Sequence, residues 1–116
     1  MKRAIYIIGI ALNLLLLTAC GRQQQVKSVV KEFMADQLKK GDVAYISFSD
    51  VDSTHAFSDS LVQALRRRGP QGVQYQERQG RTLLHIRAKY VVESDTLSTT
   101  FYLNPEATGV VAFKEN

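Results

Sequence analysis

The chain changes its hydrophobic period partway along, and that change limits what it can fold into. Val26, Val29, Val30, Phe33, Met34 and Leu38 recur at three- and four-residue spacing. That pattern lays apolar side chains along one stripe of an amphipathic helix. Lys27, Lys31, Glu32, Asp36 and Lys39 take the other face. Lys39 and Lys40 complement the negative end of such a helix, and Gly41 is placed to supply a left-handed cap. From residue 73 the period becomes two. Leu84, Ile86, Ala88, Tyr90 and Val92 share one face of a strand, while Leu83, His85, Arg87, Lys89, Val91 and Glu93 share the other. A striped helix and strands with one greasy face must bury those surfaces against each other.

The remaining elements follow from local signals. Ala44, Ile46 and Phe48 alternate with Tyr45, Ser47 and Ser49, which reads as a strand. Ser58 is a capping residue, Asp59 suits the positive end of a helix, and Phe57 can staple onto Val62. Leu61, Val62 and Leu65 are expected to face inward, and Gly69-Pro70 ends the helix. Strands are expected over 73–78, 83–93, 96–103 and 110–114, with turns at Gln79-Gly80 and Ser94-Asp95 and a break at Asn104-Pro105. In the third of these, Leu97, Thr99, Phe101 and Leu103 point one way. Short connections make the strands an antiparallel meander. The expected fold is α+β: an N-terminal amphipathic helix packed on a curved antiparallel sheet, in the order α-β-α-β-β-β-β. This architecture resembles the cystatin-like and nuclear-transport-factor-like groups of folds, over most of residues 26–114. The resemblance implies a sheet wrapped around the long helix and carries no functional residues.

Ahead of the domain, Lys2 and Arg3 precede 14 residues, 4–17, that are apolar apart from Asn13 and Gly9. Thr18 and Ala19 then lead to Cys20. A positive start, a short apolar core and a small-residue exit describe a secretory signal peptide. The run is shorter than the roughly 20 residues a permanent membrane helix needs. Leu17, Thr18, Ala19 and Cys20 resemble the lipobox of bacterial lipoproteins. That resemblance implies cleavage before Cys20, a diacylglyceryl group on its thiol and an N-acyl chain on its new amino terminus, with no other cofactor. Two or three acyl chains hold firmly where one binds reversibly, each buried methylene contributing about 0.8 kcal/mol. It also implies a periplasm-facing place in the cell envelope, lipid-anchored. Gly21 stands where an aspartate would favour the inner membrane, so the outer membrane is favoured. Cys20 is the sole cysteine, so an internal disulfide is excluded.

The expected organisation is a signal peptide over 1–19, a lipidated cysteine and short mobile tether over 20–25, and one small domain over 26–116. Lys2 and Arg3 account for half of the formal charge of +4, so the mature part carries +2. With no basic stripe interleaved with aromatics, this does not point to nucleic acid.

Several clusters could carry chemistry. Asp50-Val51-Asp52-Ser53-Thr54 resembles the phosphate-transfer loop of haloacid-dehalogenase-type hydrolases, where paired carboxylates hold magnesium. Those enzymes need a doubly wound parallel sheet, and this chain offers one strand–helix crossover before a meander. The segment therefore reads as a turn whose side chains bond to their own backbone. Arg66-Arg67-Arg68 at a helix end complements the dipole and reads as a solvated face, with anionic lipid the nearest anion were it to bind one. His55 and His85 are the only histidines and lack the neighbours of a zinc site. No metal ligands are assigned. The face with His85, Arg87, Lys89, Ser98, Thr100 and Tyr102 mixes cationic and aromatic groups, and is the candidate binding face, weighed against an ordinary solvent face. The functional expectation is a membrane-anchored lipoprotein acting as a binding or envelope-assembly accessory with a protein partner. The rival is a small periplasmic hydrolase or isomerase with its site between helix and sheet.

Overall fold

The computed structural model describes residues 21–55 and 57–116. The leader and the lipobox residues Leu17, Thr18, Ala19 and Cys20 lie outside the described residues. In chain order the elements are helix α1 over 21–36, strands β1 (Ala44–Phe48) and β2 (Asp52–Thr54), helix α2 (Asp59–Arg68), and strands β3 (Leu83–Val92), β4 (Asp95–Leu103) and β5 (Val110–Glu115). The class is α+β, with a five-stranded antiparallel sheet.

Helix α1 forms on the expected stripe. Val26, Val30, Phe33 and Met34 are buried, and Val29 and Leu38 pack against the same cluster. The partner surface is the even-numbered face of β3, with Leu84, Ile86, Ala88 and Tyr90, joined by Phe101 and Leu103 of β4 and by Val110 and Phe113 of β5. Phe33 lies at the centre, with ring centroids 5.9 Å from Tyr75, 6.2 Å from Phe101 and 5.8 Å from Phe113. Tyr90 is fully buried, and its hydroxyl shares a 2.7 Å hydrogen bond with Thr99 Oγ1, so neither group is left unsatisfied. The helix ends through Lys39, whose φ is +58°, and the Lys40 amide then donates to the Met34 carbonyl at 2.7 Å. Lys39 rather than Gly41 takes the left-handed position. Gly41 instead allows a close approach, because a Cβ there would meet the Ala35 methyl at 3.3 Å.

Residues 21–25, expected as a mobile tether, are helical. Two glutamines explain why. Gln23 Nε2 donates to the Ser49 carbonyl at 2.9 Å, and its Oε1 accepts from the Val51 amide at 3.0 Å. Gln25 Nε2 donates to the Ala107 carbonyl at 3.1 Å. The polar side chains that suggested a solvated linker are bonded to two loops of the domain, and each bond removes the freedom a tether would keep.

The sheet departs from expectation at one strand. Residues 73–78 form no strand; this segment keeps one backbone bond to the sheet, from the Gln76 amide to the Val110 carbonyl at 2.8 Å. The fifth strand is β2, in the stretch read as a turn. It pairs with β3 through Asp52–His85, Ser53–Leu84 and Thr54–Leu83. β1 pairs with the far end of β3, from Ala44–Val91 to Phe48–Ala88. β1 and β2 thus run along the same edge of β3 as one interrupted strand, and the order becomes α-β-β-α-β-β-β. Gln23 bonds the backbone where the pairing lapses, which accounts for polar groups the ladder leaves open.

α2 covers the opposite face of the sheet. Val62 and Leu65 pack with Leu83, Val111 and Ala112, and Phe57 and Tyr102 lie against this second cluster. Leu61, expected inward, is 43% exposed. It lies four residues before Leu65 but outside the narrow stripe that a ten-residue helix needs to cover this short stretch of sheet. Ser58 caps α2 as expected, accepting from the Leu61 amide at 3.2 Å.

Candidate functional site

The register of β3 and β4 sets the candidate face. His85 lies opposite Tyr102, Arg87 opposite Thr100 and Lys89 opposite Ser98. All six residues sit on the side of the sheet away from α1. The structure therefore brings His85, Arg87, Lys89 and Tyr102 together, as period two requires. α2 and the loop before it then divide them. Phe57 packs on Tyr102 with ring centroids 4.3 Å apart, and the Tyr102 and His85 rings are 6.3 Å apart. Tyr102 is half-buried, and burial raises its phenol pKa above the usual 10.0, with the Arg87 guanidinium pulling the other way. Arg87 and Lys89 stay exposed.

The polar groups at the far end of this face are largely engaged. Asn116 Nδ2 donates to Ser98 Oγ and to Thr100 Oγ1, both at 3.1 Å, and the Asn116 amide donates to the Ser98 carbonyl at 2.8 Å. Thr100 is buried beneath this contact. What remains accessible is a cationic strip of Arg87 and Lys89 beside the Phe57–Tyr102 pair. Lys114, opposite Thr100 on β5 and exposed, extends it. Lys114 was not singled out from sequence, because only the β4–β5 register shows that it shares this face. Such a strip can attract an acidic surface and offers aromatic area beside it.

The other candidates fall into place as structural groups. Arg66 is not part of a solvated run. Its Nε donates to the Val111 carbonyl at 2.9 Å, its Nη2 to the Gln76 carbonyl at 3.0 Å, and its guanidinium lies 5.0 Å from the Tyr75 ring centroid. It ties α2, β5 and the 73–78 segment together, a bridge invisible in a row of three arginines. Arg67 and Arg68 are exposed. Asp52 Oδ1 accepts from the Ser53 amide at 2.8 Å, the local bond expected of a turn, although the backbone there is β2. His55 shares a 2.9 Å hydrogen bond with Thr82 Oγ1. Beneath α1 the core is filled by Phe33, Met34, Phe101 and Leu103, all 7% exposed or less, and beside it a cleft of about 300 Å³ opens between α1, residues 74–76 and residues 108–110. No helix of the described residues is long and apolar enough to cross a membrane. The chain matches no family model, and no curated protein or solved structure matches it.

Proposed function

We propose that this chain is a bacterial lipoprotein, anchored through acyl chains on Cys20 and facing the periplasm, with the outer membrane favoured. The domain serves as a binding or assembly accessory of the envelope rather than as a catalyst. The observation that carries the reading is the sequence Leu17-Thr18-Ala19-Cys20 at the end of a short apolar run. The helical state of residues 21–25 adds a physical consequence. With no flexible spacer there, a lipid on Cys20 would hold the domain against the headgroups, with the start of α1 and the loops that Gln23 and Gln25 engage turned towards the bilayer. The strip of Arg87, Lys89 and Lys114 supports a binder with an acidic protein partner. The helix-on-meander arrangement is compatible with kinship to cystatin-like or nuclear-transport-factor-like folds.

Metabolic labelling with palmitate and envelope fractionation test the anchor. Wild type should take up label and remain with membranes, whereas Cys20→Ser should lose the label and persist as the uncut precursor. A Cys20→Ser protein that matures and fractionates like wild type would refute the reading.

A further inference from the structure

We propose that the groove between the end of α2 and the end of β5 docks an acidic segment of a protein partner, with one large apolar side chain of that segment seated in the groove. The proposal rests on the acidic-partner reading of the cationic strip and adds where such a partner is anchored.

The groove, of about 220 Å³, is lined by Leu65, Arg68 and Pro70 on one side and by Phe113, Lys114 and Glu115 of β5 on the other. Neighbouring side chains of a strand point to opposite faces, so three successive residues line one groove only where it runs along the strand's edge. β5 is the last strand of the sheet. The Asn116 amide donates to the Ser98 carbonyl, which continues the ladder between β5 and β4. Antiparallel pairing alternates, so Ala112, Lys114 and Asn116 turn their backbone groups to β4, while Phe113 and Glu115 turn theirs to the open edge. Among the described residues, the one backbone bond onto that edge comes from Gln76 and meets Val110, at the other end of the strand. An extended segment entering the groove therefore finds backbone donors and acceptors beside an apolar floor.

Charge selects the occupant. Arg67, Arg68 and Lys114 are exposed, and none of them has an ion-pair partner among the described residues. The one acid of the lining, Glu115, lies 3.8 Å from Lys40 Nζ. Lys114 lies opposite Thr100, and Thr100 opposite Arg87, so the groove opens at one end of the cationic strip. Cations around an apolar floor suit a segment whose carboxylates flank one apolar side chain. They also act against a second copy of this chain, because pairing two β5 edges would set Arg68 and Lys114 of one copy against those of the other.

The test uses the full chain in phosphatidylcholine nanodiscs and the fluorescence anisotropy of labelled synthetic peptides. The probe carries a central leucine flanked on both sides by aspartates. Its companions have serine in place of the leucine, or lysines in place of the aspartates. The leucine–aspartate peptide should bind saturably, the serine peptide at least about tenfold more weakly, and the lysine peptide not at all. Arg68→Glu should weaken the leucine–aspartate peptide about tenfold. The comparison of leucine with serine is made on the unaltered protein, so it holds whatever a variant does to the fold. An acidic peptide that binds equally well with leucine or serine, and that Lys89→Glu weakens but Arg68→Glu does not, would overturn the groove and leave the acidic-partner reading standing. Absence of binding by either acidic peptide, or equal binding of the lysine peptide, would overturn both. A dimer in sedimentation equilibrium that Arg68→Glu turns into a monomer would place a second copy in the groove and overturn the proposal.

Discussion

Tyr90 and Arg66 show how single polar groups are held in this fold. The Tyr90 hydroxyl and Thr99 Oγ1 satisfy each other at 2.7 Å inside the main core. Tyr90→Phe should leave the threonine hydroxyl without its partner and cost about 1–2 kcal/mol, whereas adding Thr99→Val should recover most of that loss. Urea unfolding of both single variants and the double variant measures the coupling. Arg66 bonds two carbonyls from different segments, Val111 and Gln76. Arg66→Ala should cost about 2 kcal/mol. Arg67→Ala, on an exposed neighbour, should stay within about 0.5 kcal/mol of wild type, and denaturation midpoints of the pair separate the two roles.

Elements here owe their existence in unequal measure to local and distant causes. α2 is locally specified: Ser58 caps it, Asp59 opens it, and three arginines close it before Gly69. Ser58→Ala should therefore destabilise the domain by about 1 kcal/mol through loss of the cap, read from the thermal midpoint. β2 is the opposite case. Asp, Ser and Thr are turn formers with little strand preference. Asp52, Ser53 and Thr54 are nevertheless extended because β3 continues past the end of β1 and offers them an unpaired edge. The 73–78 segment has alternating Val73 and Tyr75 but a single backbone bond to the sheet. Its side chains do the holding instead, with Tyr75 against Phe33 and beneath Arg66.

For the whole molecule, the sheet is a shared wall between two clusters, with α1 on one side and α2 on part of the other. Each side shelters phenols. Burial raises the pKa of Tyr45, Tyr75 and Tyr102 above 10.0; the neighbouring Tyr90 adds to the rise at Tyr45, while Arg66 and Arg87 oppose it at Tyr75 and Tyr102. The folded state then holds these protons more tightly than the unfolded chain does. Their contribution to stability is complete below the unfolded pKa and is lost as pH rises through the folded values. Urea midpoints should fall between about pH 9 and 11. Tyr102→Phe should flatten part of that fall, and an unchanged slope would remove Tyr102 from the account.

Periodicity determined the helix stripe of Val26, Val30, Phe33 and Met34 and the two faces of β3 and β4, and the residue types Ser58 and Asp59 determined the cap of α2. These depend on neighbours within a few residues, and burial then acts on a pattern already written. The grouping of His85, Arg87, Lys89 and Tyr102 was legible for the same reason: strands joined by a short turn have a register set by that turn. Tertiary structure alone decided that Gln23 and Gln25 extend α1 into an expected tether, that β2 replaces 73–78 in the sheet, and that Arg66 is half-buried between two carbonyls while the Arg78 side chain is only 10% exposed. Each of these rests on a hydrogen-bond partner distant in sequence or on the far side of a loop, and a polar side chain carries no mark of which distant carbonyl or carboxylate it will meet.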